Sequence, residues 1–203
     1  MGNAQGSRRR GGQDPRRGGR PRASRDERLS RFLAFVLRHH PEEIGLALDE
    51  RGAADLDAAV ESIRARSGFK DVTREGLERL ASGPSATRFE ICDSRIRARY
   101  GHSLPQLIQY DPATPPLELF HGSTPEAADP ILAEGLKAGQ RQRVHLSVDT
   151  PAAREVGHRR SPNPVILRID TAGAAKAGVR FYQAGPSVWL SDDIPPECIS
   201  RVE

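Results

Sequence analysis

The 203-residue sequence contains few of the residues that several common protein classes require. Its two cysteines, Cys92 and Cys198, lie far apart and have no metal-type spacing, which indicates two reduced thiols. No stretch approaches the ~18 consecutive apolar residues of a membrane-spanning helix. The N-terminus also lacks the apolar segment of a secretory signal. We therefore expect a cytoplasmic protein with no membrane partner.

The chain also lacks the short motifs of several enzyme classes. There is no GxSxG nucleophile motif and no GxGxxG or GxxxxGK[ST] phosphate loop, so a nucleotide would bind without a Rossmann or P-loop device. The histidines show no HExxH and no Cys/His cluster, so we expect no metal site. They lie at positions 39, 40, 102, 121, 145 and 158.

Positive charge is concentrated in one segment. The net charge is +4, but residues 1–27 carry eight arginines against three acidic residues, a balance of +5 that leaves −1 for residues 28–203. This Arg/Gly/Pro-rich tail has no apolar face and is predicted to be disordered. Two interpretations stay open, an arm that binds nucleic-acid phosphates and a solubilising extension.

Residues 28–104 predict a small helical lobe. Apolar residues recur at helical spacing in LSRFLAFVLRHHP, and Pro41 ends this helix because the residue before a proline avoids helical backbone. GLALDERG predicts a short strand and a turn. Asp55 can cap a second helix, and Thr73 can start a third that Gly83 and Pro84 stop. The stripe of the first helix comprises Leu29, Phe32, Leu33, Val36 and Leu37.

RFEICDSRIRARY completes this lobe as two strands folded at Asp93-Ser94. The order helix, strand, helix, helix, hairpin is typical of a winged-helix domain. PQLIQYDPATPP, at 105–116, predicts a linker. In residues 117–203, the β-type runs LELFHG, RVHLSV, PVILRID and SVWLS alternate with the helical segments PEAADPILAEG and TPAAREVGHRR, which indicates an α+β lobe.

Three clusters of basic residues could bind an anion. Arg95, Arg97 and Arg99 would share one face of a strand, and Arg141, Arg143 and His145 alternate in the same way in RQRVHLS. Each strip is either a solvated surface or a site whose planar guanidiniums bind a phosphate. In LRHHP, Arg38 and His39 close the first helix, where the helix dipole alone also favours basic residues.

FHGST, at 120–124, adds a histidine before a glycine that would let a ligand approach the backbone, although a structural histidine in a turn explains it equally. No obvious nucleophile accompanies these basic residues. The combination therefore suits a phosphate substrate that supplies the nucleophilic oxygen itself.

With these residues identified, the chain resembles the NAD-dependent RNA 2′-phosphotransferase family. The matching stretches occur in the family's order over residues 28–203: LSRFLAFVLRHHPEEIGLALDERG, RIRARYGHS, LFHGST, GLKAGQRQRVHLS and FYQAGPSVWLSDDIPPE. The resemblance implies a winged-helix-like RNA-binding lobe (28–104) and an ADP-ribosyltransferase-like lobe (117–203) that binds NAD. It also implies removal of an internal 2′-phosphate from RNA, such as that at a tRNA splice junction, through an RNA-2′-phospho-ADP-ribose intermediate.

The resemblance also implies roles for individual residues. The catalytic set falls on Arg38, His39, Arg97 and Arg141. NAD contacts fall on His121, Gly122, Ser123, His145, Ser147 and Val188, and substrate contacts on His102, Ser103 and Arg143. The sequence departs from the family pattern at Arg143, at HGS in place of HGT, and at Gly185-Pro186-Ser187. We expect a monomer.

Two other interpretations stay open at this point. A different NAD-dependent ADP-ribosyltransferase, acting on nucleic-acid ends or protein, would keep His121 and His145 but would not need Arg38 and Arg97. A non-catalytic winged-helix nucleic-acid binder would use the tail and the arginine strip of residues 95–99 but would have no use for FHGST or RVHLS.

Overall fold

A computed structural model of the protein describes residues 23–83 and 87–202. Its first lobe contains a 3₁₀ turn at Pro41–Ile44 and a three-stranded antiparallel sheet in the order β1-β3-β2. The elements of this lobe are α1 (Arg25–Arg38), β1 (Ala53–Asp55), α2 (Leu56–Arg64), α3 (Arg74–Ser82), β2 (Phe89–Cys92) and β3 (Arg95–Ala98).

Helix α1 confirms the predicted apolar stripe. Leu29, Leu33, Val36 and Leu37 are buried, whereas Phe32 is partly buried against the same core. The helix starts earlier than expected because the Ser24 hydroxyl caps it, accepting a hydrogen bond from the Glu27 N–H at 3.1 Å. The predicted tail boundary at residue 27 is therefore wrong; residues 1–22, with the predicted disorder, lie outside the described residues.

The predicted caps of α2 and α3 are confirmed. The Asp55 carboxylate accepts from the Ala58 N–H at 2.8 Å, and the Thr73 hydroxyl accepts from the Gly76 N–H at 3.1 Å. Each side chain satisfies one of the backbone donors that a helix start leaves unpaired. Helix α3 ends at Gly83 as expected, and Pro84 lies outside the described residues.

The hairpin of β2 and β3 turns at Asp93 and Ser94 as predicted. Both have positive φ, 50° and 57°, as the two central residues of a type I′ turn require. The strand predicted within GLALDERG is wrong. The Asp49 carboxylate accepts from the N–H groups of Arg51 and Ala53, each at 2.9 Å, which folds this segment into a turn and delays the strand to Ala53.

Residues 105–116 form no helix or strand, as predicted, but they are fixed against both lobes. Ile108 is buried, and the N–H of Gln109 donates to the Glu50 carbonyl at 2.9 Å. The N–H of Ala113 donates to the Phe181 carbonyl of the second lobe at 2.8 Å. The linker is therefore an ordered connection between the lobes.

The second lobe is a mixed helix and sheet unit, which confirms the predicted α+β class. The four predicted β runs and both predicted helices are present, whereas α6, β7 and β9 were not predicted. Its elements are β4 (Glu118–Ser123), α4 (Pro125–Glu134), β5 (Val144–Ser147), α5 (Thr150–His158), β6 (Val165–Asp170), α6 (Thr171–Lys176), β7 (Phe181–Gln183), β8 (Val188–Ser191) and β9 (Ile199–Arg201). No helix in the described ranges is both long and apolar enough to cross a membrane.

Within the described residues, this lobe has one six-stranded antiparallel sheet in the order β7-β8-β5-β4-β6-β9. Strand β4 pairs with β6 along its whole length, from Glu118–Asp170 to Ser123–Val165. It meets β5 at a single pair, Phe120–Ser147. The sheet therefore opens between its two central strands, beside the histidines that each of them carries.

Helix α5 lies directly over β4, and Gly122 is the point of closest approach. A Cβ at this position would lie 2.0 Å from the Ala153 carbonyl oxygen and 3.0 Å from the Gly157 nitrogen. The packing of α5 on β4 therefore requires a glycine at this position. The sequence had suggested a different reason, the close approach of a ligand to the backbone. A contact between Gly122 and NAD stays a prediction.

We expect Gly122→Ala to lower the free energy of unfolding by about 3 kcal/mol, since the added methyl group must displace helix backbone. Urea unfolding followed by circular dichroism measures the change. The matched control is Gly185→Ala, because no heavy atom of the described residues beyond its two chain neighbours lies within 4 Å of the corresponding Cβ position. Equal stability of the two variants would contradict the close approach of α5.

Candidate active site

Arg38, at the C-terminal end of α1, lies between Tyr100 and Gly101. Its Cζ is 5.0 Å from the centroid of the Tyr100 ring, and a Cβ on Gly101 would lie 3.4 Å from its Cδ. Gly101 has φ +91°, which side-chain-bearing residues rarely adopt. The Arg38 Nε and Nη2 are buried and have no hydrogen-bond partner within the described residues. Buried donors without acceptors are costly, so this guanidinium is suited to an anion.

Arg38 and Arg141, from different lobes, share one positive field. Burial lowers the pKa of Arg38, and after an opposing effect of Tyr100, the charges of Arg88 and Arg141 lower it further. Burial is also the largest cause that lowers the pKa of Arg141, followed by the charge of Arg160. Arg141 thus acts on Arg38 across the linker, and neither of these predicted catalytic arginines has a carboxylate partner within the described residues.

Arg141 does not lie on a strand. Strand β5 begins at Val144, and residues 141–143 form a bend, so the predicted alternation from Arg141 to His145 is wrong. The cause is Gln142, whose N–H donates to the His102 carbonyl at 3.1 Å and whose side chain binds the linker. In the parts of the chain that the structure describes, the Arg141 side chain has no hydrogen bond or ion pair.

His39 is oriented by Ser103. The two side chains are joined by a hydrogen bond of 2.7 Å between the His39 Nδ1 and the Ser103 Oγ, and the Ser103 N–H donates to the Arg38 carbonyl at 3.0 Å. Burial, followed by the charge of Arg38, lowers the pKa of His39. A neutral imidazole can accept a proton, which suits the predicted catalytic role. His40 instead bonds to Glu42 at 2.9 Å and is an ordinary neighbour, as expected.

The arginines of β3 are matched by carboxylates. Arg97 donates from Nε to Glu90 at 2.6 Å, and Arg99 donates to the second oxygen of the same carboxylate at 3.1 Å. Arg95 pairs with Asp49 at 2.9 Å. The predicted strand face is confirmed for Arg95 and Arg97, which lie outward while Ile96 and Ala98 are buried. Two carboxylates thus face three arginines, and the positive charge of the strip is partly offset.

Glu90 is the residue that the sequence reading missed at this position. The signal was available, because a two-residue turn at Asp93-Ser94 places Glu90 directly opposite Arg97 in the antiparallel pair. The ion pair fixes the guanidinium that the family resemblance marks as catalytic. Glu90 is accordingly a candidate for positioning Arg97.

Arg143 and His102 lie in the junction between the lobes. The Arg143 guanidinium is 3.1 Å from the Asp192 carboxylate and lies over the Tyr182 ring at 5.0 Å. His102 is buried, with its Nδ1 bonded to the Tyr110 hydroxyl at 3.0 Å, and burial lowers its pKa to about 4. Both side chains thus face protein groups, and a direct contact of either with a substrate stays a prediction.

His121 and His145 occupy the opening between β4 and β5. The His121 Nδ1 donates to the His145 carbonyl at 2.9 Å, and the His145 Nδ1 donates to the Arg143 carbonyl at 3.1 Å. Because a carbonyl only accepts, each neutral ring carries its proton on Nδ1 and leaves Nε2 as an acceptor. Burial, then the charge of Arg141, lowers the pKa of His145 to about 3, and burial also lowers the pKa of His121.

The remaining predicted NAD contacts lie on neighbouring strands. Ser147 of β5 pairs with Val188 of β8, and Ser123 ends β4. Both serines are buried. The loop at residues 185–187, where the sequence departs from the family pattern, is the turn of the β7–β8 hairpin. The Ala184 N–H closes this turn by donating to the Val188 carbonyl at 3.0 Å.

The described residues hold no group of three or more His, Cys, Asp or Glu side chains that could bind a metal ion. The guanidiniums can instead donate hydrogen bonds to an anion, and the Nε2 atoms of His121 and His145 can accept hydrogen bonds from hydroxyl groups. That combination of donors and acceptors fits a phosphorylated and ribose-containing ligand.

Comparison with known proteins gives the family. Residues 24–193 match the family described as RNA 2′-phosphotransferase, Tpt1 / KptA family. The chain belongs to the RNA 2′-phosphotransferase family. This confirms the resemblance drawn from the five sequence motifs, and it makes the protein a transferase.

Curated relatives of the phosphotransferase come from distant organisms. A probable RNA 2′-phosphotransferase of Hahella chejuensis is 43% identical over 176 residues, covering 86% of this chain and 93% of the relative. Proteins with the same name from Thermococcus kodakarensis and Acetivibrio thermocellus are 37% and 38% identical, covering 86% and 85% of this chain and 96% and 94% of their own lengths. Both lobes of the phosphotransferase are thus covered.

We expect the phosphotransferase to lose stability as the pH falls from 6.5 to about 5. The pKa values of His102 and His145 are lowered to about 4 and about 3, so in this window the unfolded chain binds protons that the folded protein does not. Each histidine can then reduce the free energy of unfolding by up to ~1.4 kcal/mol per pH unit.

Urea unfolding at several pH values measures this slope. His102→Gln should make the slope shallower between pH 6.5 and 5, and His145→Gln should do the same. Above pH 7, where both states keep these rings neutral, each variant should show a constant offset from the wild type. A slope that neither substitution alters would show that these rings are protonated in the folded protein.

Proposed function

We propose that this protein removes an internal 2′-phosphate from RNA and transfers it to the ADP-ribose part of NAD. The single observation that carries the proposal is the meeting of Arg38 and Arg141 from two lobes, with buried Arg38 nitrogens that lack an acceptor. The names of the relatives, probable RNA 2′-phosphotransferases, support the same substrate. A phosphomonoester brings nearly two negative charges to such a site.

In the proposed first step, an oxygen of the RNA 2′-phosphate attacks the C1″ carbon of the NAD ribose. The bond between C1″ and nicotinamide breaks, and nicotinamide leaves with the electron pair. Arg38, Arg97 and Arg141 hold the phosphate and place its oxygen for attack. The product is RNA joined through its 2′-phosphate to ADP-ribose.

In the proposed second step, the neighbouring 2″-hydroxyl attacks the phosphorus and the bond to the RNA 2′-oxygen breaks. His39, neutral because its pKa is lowered, takes the hydroxyl proton and can return it to the leaving 2′-oxygen. The three guanidiniums stabilise the charge that develops on the phosphoryl group. The products are RNA with a free 2′-hydroxyl and ADP-ribose 1″,2″-cyclic phosphate.

NAD would be held at the opening between β4 and β5. His145 offers a buried Nε2 acceptor without a partner in the described residues, which fits a ribose hydroxyl. His121, Ser123, Ser147 and Val188 would complete this half, with Gly122 in the strand beneath. The chemistry that NAD supplies is an electrophilic ribose carbon with a good leaving group, so the proposed reaction needs no metal.

We also assign the lobes on this basis. Residues 28–104 would act as a winged-helix-like RNA-binding lobe, and residues 117–203 as an ADP-ribosyltransferase-like lobe. The proposed substrate is RNA of the kind that carries a 2′-phosphate at a tRNA splice junction. We also propose that the protein is cytoplasmic and monomeric.

The decisive assay uses an RNA with one internal 2′-phosphate, incubated with and without NAD. We expect loss of the phosphate only with NAD, together with release of nicotinamide and of cyclic phosphate. Nicotinamide release with a persisting modification of RNA ends or protein would instead assign a different ADP-ribosyltransferase. RNA binding without any reaction would leave a non-catalytic nucleic-acid binder.

We expect Arg97→Ala to reduce turnover by on the order of 10² to 10³, the cost of removing one preorganised charge from a transition state. Arg95→Ala is the matched control, since Arg95 lies two residues away on the same strand face and pairs with Asp49. It should change turnover by about twofold at most, because exposed ion pairs contribute little. Single-turnover kinetics measures both variants, and equal losses would contradict the assignment of Arg97.

A further inference from the structure

Tyr100 contacts a charged or titratable group from each lobe. It follows β3 in the first lobe, and its ring lies beneath the Arg38 guanidinium at 5.0 Å. The His145 ring of the second lobe meets it edge-on, with centroids 5.7 Å apart and an interplanar angle of 76°. One aromatic ring is thus shared by the proposed phosphate-binding and NAD-binding halves of the site.

The ring is the main restraint on the Arg38 guanidinium. In the described ranges, the Arg38 side chain has no hydrogen bond, and its Nε and Nη2 are buried. Gly101 also lies close to this side chain, since a Cβ there would come within 3.4 to 3.5 Å of Arg38 side-chain atoms. A cation over an aromatic face is attracted by the electron density of the ring, more strongly when water is excluded. Tyr100 therefore restrains a cation that no carboxylate of the described residues holds.

The same ring restrains His145. That imidazole has one hydrogen bond, from Nδ1 to the Arg143 carbonyl, and its Nε2 has no partner in the described residues. One hydrogen bond leaves the ring free to tilt, whereas the edge contact with Tyr100 limits the tilt. Tyr100 is itself anchored, since it packs against the buried cluster of Tyr182, Ala184 and Leu190.

We propose that Tyr100 is a positioning residue that aligns Arg38 with His145, so that one ring sets the geometry between the phosphate and NAD. The inference rests on the proposed function and names a residue to which the family motifs assign no role. It requires that the aromatic ring be needed while the tyrosine hydroxyl is dispensable. The variants Tyr100→Phe and Tyr100→Leu separate these two requirements.

The first test is independent of any activity. The Hε proton of Arg38, assigned in NMR spectra through Arg38→Lys, should be shifted upfield by the ring current of Tyr100. The shift should persist in Tyr100→Phe and disappear in Tyr100→Leu, with circular dichroism confirming that each variant is folded. An Arg38 resonance that Tyr100→Leu leaves unchanged would overturn the contact.

The second test measures kcat and KM for the 2′-phosphorylated RNA and for NAD. Tyr100→Phe should stay within about twofold of the wild type, and Tyr100→Leu should lose about tenfold in kcat/KM, the scale of a desolvated cation–π contact. The KM values for RNA and for NAD should rise together, because the phosphate-binding and NAD-binding halves of the site both lose the Tyr100 ring. A rise in only one of them, or no loss in either, would overturn the shared role.

A third variant separates electrostatics from shape. Replacement of Tyr100 by 3,4,5-trifluorophenylalanine keeps a ring of similar size but withdraws electrons from its face. The kcat/KM for RNA should then fall below that of Tyr100→Phe, which a purely steric role would not produce. Equal values would overturn the cation–π component of the proposal.

The matched control is Phe32→Leu, which removes the ring of another Arg–aromatic pair, Arg66 over Phe32 at 5.6 Å, within the first lobe. Its turnover should stay within about twofold of the wild type. If Phe32→Leu lost as much as Tyr100→Leu, general destabilisation would explain the effect and the proposal would fail. A wild-type protein that removes no 2′-phosphate would refute the proposed function instead, and the NMR result would still decide whether Tyr100 positions Arg38.

Discussion

The arrangement of the two lobes depends on the side-chain amide of Gln142. Its Nε2 donates to the carbonyls of Leu104 and Gln106, both at 2.7 Å, and its Oε1 accepts from the Ile108 N–H at 2.9 Å. One amide thus satisfies the carbonyl just before the linker and two backbone groups within it, and the linker itself forms no helix or strand. Because Arg141 directly precedes Gln142, the interaction that fixes the linker also brings a second-lobe guanidinium toward Arg38.

The arginines around the junction fall into two groups that differ in their partners. Arg95 pairs with Asp49, Arg97 shares Glu90 with Arg99, and Arg143 shares Asp192 with Arg180, so their charges are partly offset within the protein. Arg38 and Arg141 have no carboxylate partner in the described residues. Burial is the largest cause of both lowered pKa values, followed among the neighbouring cations by Arg88 and Arg141 for Arg38 and by Arg160 and Arg159 for Arg141. The pair without a carboxylate therefore marks where an anion is needed, and Arg97, which its ion pair with Glu90 holds in place, is proposed to bind the same anion.

Much of this fold could be predicted from interactions between residues that are close in sequence. The stripe of α1, the caps Asp55 and Thr73 and the turn at Asp93-Ser94 depend on neighbouring residues, and all were predicted. Strands β7 and β9 have three residues each, too few to show a periodic pattern. The bend at Arg141 and the contacts of Tyr100 depend on groups far away in sequence, so alternation alone extended the predicted strand back to Arg141 and gave Tyr100 no role.

Arg38 illustrates a conflict between folding and use. A buried donor without an acceptor costs about 1–3 kcal/mol, and Arg38 has two such nitrogens in a positive field. That is a large fraction of the total stability of an ordinary domain. An apolar side chain of similar length would fit between Tyr100 and Gly101 without this penalty. Thermal stability alone therefore does not account for an arginine at this position, whereas an anion that accepts from both nitrogens would remove the cost.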